Sequence, residues 1–95
     1  MIAVFAKCEV LKGKEEKFKE LAYNLAEKSR QEEKNTSYDI LTEVQKDTNE
    51  YFFLEKWQDQ PALDAHMKMD YFVDTIEAVK QIIKGELEIH VYETI

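Results

Sequence analysis

The stretch FFLEKWQDQPALDAHMKMDYF, from Phe52 to Phe72, decides how the rest of the chain can fold. Its first half predicts a β-strand (Tyr51–Gln58), because aromatic side chains favour a pleated, half-buried surface. Asp59 is a typical N-cap residue, and Pro61 is tolerated in the first turn of a helix, where its missing N–H would have no partner. The stretch therefore predicts a strand that runs directly into a helix.

The helical pattern continues beyond this stretch. Apolar residues recur at helical spacing from Leu63 to Ile83, with a break predicted near Met69–Asp70. We expect Gly85 to be the C′ residue that ends the helix, because glycine readily adopts the left-handed conformation found there. Residues 86–94 then form the last strand.

Three upstream elements complete the pattern. Residues 2–11 are an apolar, β-branched run that predicts a strand. After Gly13 a helix extends to about Glu33, with its apolar residues at i, i+3, i+4 and i+7: Phe18, Leu21, Ala22 and Leu25. Residues 38–45 alternate as a strand that pairs with the next one across a polar turn. The order β-α-β-β-α-β predicts one domain over residues 1–95, an α+β ferredoxin-like sandwich with both helices on one face of an antiparallel sheet.

Composition bounds the possible partners. Twenty acidic residues against thirteen basic ones give a net charge of −7, which opposes binding to nucleic acid. An RNA-recognition module has the same element order, but its basic, glycine and aromatic signature is absent from YFFLEKWQ. The apolar run MIAVFA is too short to span a membrane and is not a typical signal sequence. Because the lone Cys8 cannot form an intrachain disulfide, we expect a cytoplasmic location.

Both faces of the sheet are predicted to carry large apolar side chains. On the third strand Phe52 and Leu54 share one face, while Tyr51, Phe53 and Trp57 share the other. A face left open by the helices would be too apolar to remain in water, so we expect a second copy to cover it in a homodimer. Phe5 and Phe53 are assigned to sheet packing or to this interface.

The segments LKGK (Leu11–Lys14), EKW (Glu55–Trp57) and Asp59–His66, together with this element order, resemble the antibiotic biosynthesis monooxygenase family and its quinol-monooxygenase-like members. The likeness covers nearly the whole chain. It implies a dimeric α+β barrel formed by two sheets packed face to face. It also implies oxidation of a small aromatic substrate, such as a quinol, by molecular oxygen without a bound metal or flavin cofactor.

The resemblance places the chemistry at His66. Histidine serves as a general base near neutral pH without tuning, so His66 is the candidate catalytic residue. Trp57, Tyr71 and Phe72 are the candidate substrate-binding residues, and Tyr71 stands where quinol-oxidising relatives often carry a second histidine. The structural alternatives are a partly buried His66 with a backbone partner and a Trp57 that belongs to the core.

Other chemistries fit the sequence less well. The haem-degrading branch of the family uses an asparagine, a tryptophan and a histidine where this chain has Ala6, His66 and Ile76, so we do not expect haem breakdown. Glu88 and His90 share a strand face, but two ligands do not complete a metal site, and no metal is expected. Cys8 is interpreted as a small buried residue.

Two further functions remain open from the sequence. One is the isomerisation or breakdown of a small carbonyl compound, with His66 as the proton carrier. A phosphorylated substrate would then need a basic pocket, for which Lys56 and Lys68 are the nearby candidates. The other is a dimeric barrel that binds a small molecule without catalysis.

Overall fold

The computed structural model describes residues 1–95. The strands are β1 (Ile2–Val10), β2 (Asn35–Leu41), β3 (Glu50–Trp57) and β4 (Ile83–Glu93), and the helices are α1 (Glu15–Arg30), α2 (Gln60–Met67) and α3 (Asp70–Lys80). All four strands pair antiparallel in one sheet, in the order β2-β3-β1-β4. The predicted α+β, ferredoxin-like class is confirmed. None of the helices is both long and apolar enough to cross a membrane.

The core lies between the helices and one face of the sheet. Alternate residues of the two central strands are buried, as the twofold period of a strand requires. They pack against the apolar stripe of α1, and the main members of this cluster are Val4, Ala6, Cys8, Val10, Phe18, Ala22, Leu25, Tyr51, Phe53 and Trp57. Phe53 therefore belongs to the core beneath the helices. Phe5 lies on the opposite face and stacks on Phe52, with ring centroids 5.4 Å apart.

The transition from β3 to α2 follows the predicted signals. The side chain of Asp59 accepts a hydrogen bond from the Ala62 N–H at 2.9 Å, and Pro61 lies in the first turn of α2. The predicted break is also confirmed, because α2 ends at Met67 and α3 begins at Asp70. His66 thereby lies in the last turn of a short helix that begins three residues after β3 ends.

The predicted bounds of α1 and β2 were wrong, and β2 ends at Leu41 rather than at Gln45. α1 ends at Arg30 rather than near Glu33, because the chain then tightens into i→i−3 hydrogen bonds, including Glu32 N–H to the Ser29 carbonyl at 3.0 Å. β2 begins at Asn35 rather than Tyr38. The Asn35 side chain donates to the carbonyls of Ser37 and Lys56, so this segment joins the sheet early.

Gly85 does not end a helix as predicted. α3 ends at Lys80, and Gly85 lies inside β4 with φ of +74°. The pairing of β4 with β1 shifts register between Lys7 and Glu9, so β4 carries extra residues at this point. Glycine accommodates the left-handed conformation of such a bulge without steric cost.

Candidate functional site

A small apolar cavity lies between the sheet and helices α2 and α3. Its volume is about 30 Å³, enough for one or two water-sized molecules. Twelve of its fourteen lining residues are hydrophobic: Val4, Ala6, Leu25, Tyr38, Phe53, Leu63, Met67, Phe72, Ile76, Leu87, Ile89 and Val91. The remaining two are Glu55 and His66, so the chemistry of this cavity rests on one carboxyl group and one imidazole.

Aromatic rings fix the imidazole of His66 in place. Trp57 lies against it with ring centroids 4.3 Å apart, and Phe72 packs edge-on at 4.8 Å. Trp57 comes from the end of β3 and Phe72 from the start of α3, so the strand, the helix break and α2 all converge on this ring. His66 is fully buried in this packing.

Glu32 reaches His66 from the turn that follows α1. Arg30 anchors this turn by donating two hydrogen bonds, at 3.0 and 2.5 Å, to the carbonyl of Tyr38 on β2. The Oε2 atom of Glu32 then lies 2.7 Å from Nδ1 of His66. The hydroxyl of Tyr71 donates to the same oxygen and lies 3.2 Å from that nitrogen.

This arrangement sets the tautomer of His66. A carboxylate only accepts hydrogen bonds, so Nδ1 of His66 carries the proton that it donates to Glu32. Nε2 of the neutral ring therefore holds a lone pair, and it is buried with no hydrogen-bond partner. His66 lines the cavity, whereas Glu32, which holds its Nδ1 atom, does not.

Burial and the carboxylate act in opposite directions on the basicity of His66. Burial lowers the pKa of the imidazole, and the hydrogen bond to Glu32 partly offsets this by raising it, with a net pKa below the usual value. The ring is therefore neutral at physiological pH and available as a proton acceptor. A histidine oriented by a carboxylate on its other nitrogen is an arrangement suited to general-base catalysis.

Glu55 is the second polar group of the cavity. Its carboxylate accepts a hydrogen bond at 2.9 Å from Nε1 of Trp57, the same indole that packs on His66. Burial raises the pKa of Glu55 to about 7, against the Trp57 indole N–H and the Tyr38 hydroxyl, which lower it. Near neutral pH this carboxyl group can therefore either give or take a proton.

The four residues singled out from the sequence occupy one region. His66 and Phe72 line the cavity, whereas Trp57 packs on the face of the imidazole and Tyr71 reaches it through Glu32. Trp57 is fully buried, so its assignment to the core is confirmed, and His66 has a side-chain rather than a backbone partner.

Sequence reasoning missed Glu32 and Glu55 as site residues. Glu55 could have been found, because it alternates with Phe53 and Trp57 on the buried face of β3. Glu32 carries no such local signal, since its partner His66 is 34 positions away.

Other residues considered from the sequence lie away from the cavity. Lys56 and Lys68 are exposed and do not line it. Glu88 and His90 are exposed, and no group of three histidine, cysteine or acidic side chains lies close enough together to hold a metal ion. Cys8 is buried in the core as predicted, and burial raises the pKa of its thiol to about 11.

The protein is a four-stranded sheet covered by helices on one face, and a buried histidine lines an apolar cavity between them. These features define a small α+β protein of the ferredoxin-like class with an internal site. Comparison with known proteins gives the family. The sequence pattern described as "Antibiotic biosynthesis monooxygenase" matches residues 1–78, and the chain belongs to this family.

Individual relatives agree with this assignment. The chain is 32% identical over 89 residues to a Bacillus subtilis (strain 168) protein named "Putative monooxygenase YcnE", covering 94% of this chain and 93% of that protein. A solved structure of an antibiotic biosynthesis monooxygenase superposes with a TM-score of 0.91 at 25% identity, covering 100% of this chain and 99% of the other. A conserved protein from Methanosarcina mazei Go1 has the same TM-score at 30% identity and covers 96% and 89%, respectively.

Proposed function

We propose that this protein is a monooxygenase that oxidises a small hydroquinone or related phenol with molecular oxygen, using no metal or flavin, with His66 as the general base. One observation carries the proposal. His66 lines an apolar cavity, its Nε2 atom is buried without a partner, and its other nitrogen is held by Glu32 at 2.7 Å. An unpartnered buried acceptor is costly to stability, and such costs are found at functional sites.

The chemistry begins with a proton transfer to His66. Nε2 takes the proton of a substrate hydroxyl, and the resulting imidazolium is stabilised by Glu32 on the opposite side of the ring. The ionised ring gives one electron to oxygen, and the two radicals combine into a C–O bond that leaves a peroxide anion on a ring carbon. For a hydroquinone, loss of water then gives a hydroxyquinone, so that hydroquinone and oxygen yield hydroxyquinone and water.

The cavity fits the smaller of the two reactants. Its volume of about 30 Å³ accommodates dioxygen in apolar surroundings, but not an aromatic ring. We expect the ring to lie at the mouth, against Phe72 and the exposed side chains of Ile89 and Val91. Trp57 and Tyr71, proposed from the sequence as substrate-binding residues, would then act through the imidazole by packing on it and by bonding to Glu32.

Assembly as a homodimer, in a cytoplasmic setting, forms part of this proposal. The sheet face opposite the helices carries the stacked pair Phe5 and Phe52, beside Leu54 on the same strand, all only partly buried within one chain. Packing two such faces together would remove these aromatic groups from water. Light scattering should give twice the chain mass for the native protein and a lower mass for Phe52→Asp. A native monomer at micromolar concentration would contradict this part.

The test of activity is oxygen uptake by metal-free protein on a panel of hydroquinones and phenols. His66→Ala should lower turnover at least about a hundredfold, since general-base catalysis contributes 10²–10⁴-fold. The matched control is Asp64→Ala, which shortens an exposed side chain on the same helix and should leave turnover unchanged. The proposal fails if no substrate supports oxygen uptake, or if His66→Ala remains as active as the native protein.

A second candidate is the isomerisation of a small carbonyl compound, which the presence of both a base and an acid in one cavity would favour. The cavity contains no lysine or arginine, which argues against a phosphorylated substrate. Thermal-shift screening separates the two functions, because a bound ligand raises the melting temperature. Stabilisation by aromatic compounds supports oxidation, whereas stabilisation by small aliphatic carbonyl compounds supports isomerisation. Stabilisation without turnover of any ligand would indicate a binding protein instead.

A further inference from the structure

The apolar cavity contains a second titratable group that the proposed use of His66 leaves without a role. Glu55 is 6% exposed and lines the same cavity as His66. Its neighbours on the paired strand β1 are Val4 and the adjacent apolar residues, so no cation neutralises it there. A carboxyl group in such surroundings is costly to stability when ionised, and core packing alone would be served better by an apolar residue.

Its surroundings connect Glu55 to the imidazole. Trp57 donates its indole N–H to the Glu55 carboxylate at 2.9 Å and lies against His66 with ring centroids 4.3 Å apart. The other titratable side chains around the carboxyl group are Tyr38 on β2 and Tyr71 on α3, and burial raises the pKa of both phenols, which keeps them neutral. Near pH 7, Glu55 and His66 are therefore the groups in the cavity that can exchange protons.

We propose that Glu55 is the second proton-transfer residue of this cavity, giving a proton to the substrate peroxide and recovering one from the ring carbon. The inference rests on the proposed monooxygenase function. The position of Glu55 on the cavity wall that also holds His66 carries it.

The proton balance of the reaction closes with Glu55 in this role. After His66 has taken the hydroxyl proton, the protonated carboxyl of Glu55 donates to the distal oxygen of the peroxide anion, which gives a hydroperoxide and a carboxylate. The carboxylate then removes the hydrogen on the same ring carbon. The electrons of that C–H bond form a C=O bond as the O–O bond breaks. The leaving hydroxide takes the proton from His66, so water is released and both residues return to their starting states.

The test compares the native protein with Glu55→Gln, whose amide can still accept the Trp57 hydrogen bond. We expect quinone formation to fall about a hundredfold, the usual contribution of an acid or base. We also expect hydrogen peroxide to appear in place of product, because an unprotonated peroxide would revert to the semiquinone and superoxide, and superoxide that escapes disproportionates to hydrogen peroxide and oxygen. Glu20→Gln, which changes an exposed glutamate of α1, is the matched control and should keep the native ratio of product to oxygen consumed.

A second measurement needs no turnover. Trp57 is the single tryptophan of the chain, so its fluorescence reports on the carboxylate bonded to its indole. We expect an emission change centred near pH 7 that Glu55→Gln abolishes, and a separate change at lower pH that His66→Gln abolishes. The absence of the first change in the native protein would overturn the proposal even if the Glu55 variant did not fold.

The outcomes separate the two proposals. Native turnover with an unaltered rate and product ratio in Glu55→Gln overturns the role of Glu55 and leaves the monooxygenase function standing. An inactive native protein overturns both. Loss of product with release of hydrogen peroxide in Glu55→Gln, but not in Glu20→Gln, supports both.

Discussion

Replacing Glu32 by glutamine should lower the pKa of His66. The carboxylate raises that pKa by accepting the Nδ1 proton at 2.7 Å, while burial lowers it. A hydrogen bond to a charged group contributes about 1.5–3 kcal/mol, roughly twice that of a neutral one. The neutral amide thus forfeits about 1–1.5 kcal/mol of imidazolium stabilisation, which lowers the pKa of His66.

Nitrogen-detected NMR titration measures this directly, because the chain has only two histidines. In the native protein we expect neutral His66 to carry its proton on Nδ1, and we expect Glu32→Gln to shift its titration to lower pH. The exposed His90 serves as an internal reference, and Glu33→Gln, which removes a neighbouring exposed carboxylate, serves as the control. A native ring protonated on Nε2 when neutral, or a His66 pKa that rises in the variant, would refute the assignment of Glu32 as the residue that orients the base.

Three further changes test the structure. Glu55→Gln should be more stable than the native protein at pH 8, by up to about 3 kcal/mol, but not at pH 4. The pKa of the Glu55 carboxyl rises from 4.5 to about 7 on folding, so the stability of the native protein falls as pH increases through that range. Equal urea midpoints for the two proteins at both pH values would contradict this. Gly85→Ala should lower the free energy of unfolding by about 1–2 kcal/mol in the same urea assay. Gly85 has a φ of +74°, and a Cβ there meets nothing within 4 Å, so backbone strain is the only cost. Asp59→Ala should cost about 1 kcal/mol through loss of the cap on α2; Asp64→Ala, which loses only an exposed bond to Gln60, should cost less.

Local sequence signals predicted the helices that position the site residues. Asp59 and Pro61 mark the start of α2 by their own chemistry, and the change in apolar spacing near Met69–Asp70 marks its separation from α3. Gly85 shows where such signals are ambiguous. Glycine indicates a residue with a left-handed conformation. Whether that residue ends a helix or forms a bulge in a strand depends here on pairing with β1, which lies at the other end of the sequence.

The position of Glu32 could not be predicted without the tertiary structure. The position of Glu32 depends on Arg30 binding the carbonyl of Tyr38, a contact between a helix end and a neighbouring strand. No periodicity in the sequence encodes that contact. The burial of Glu55 was encoded, because strand alternation places it on the same face as Phe53 and Trp57, and a charged residue at such a position is itself a functional indication.

On the proposed function, the geometry of the cavity would also order the two reactants. Dioxygen would occupy the cavity of about 30 Å³, and an aromatic ring would lie at its mouth, where Ile89 and Val91 are each 47% exposed. β4 is an edge strand, so these side chains have sheet neighbours on one side alone. A substrate ring lying on them would bury their exposed surface and close the cavity over oxygen, with its hydroxyl turned to Nε2 of His66. Substrate binding would thereby exclude water at the moment when the ring becomes ionised, which is when the electron transfer to oxygen gains most from dry surroundings.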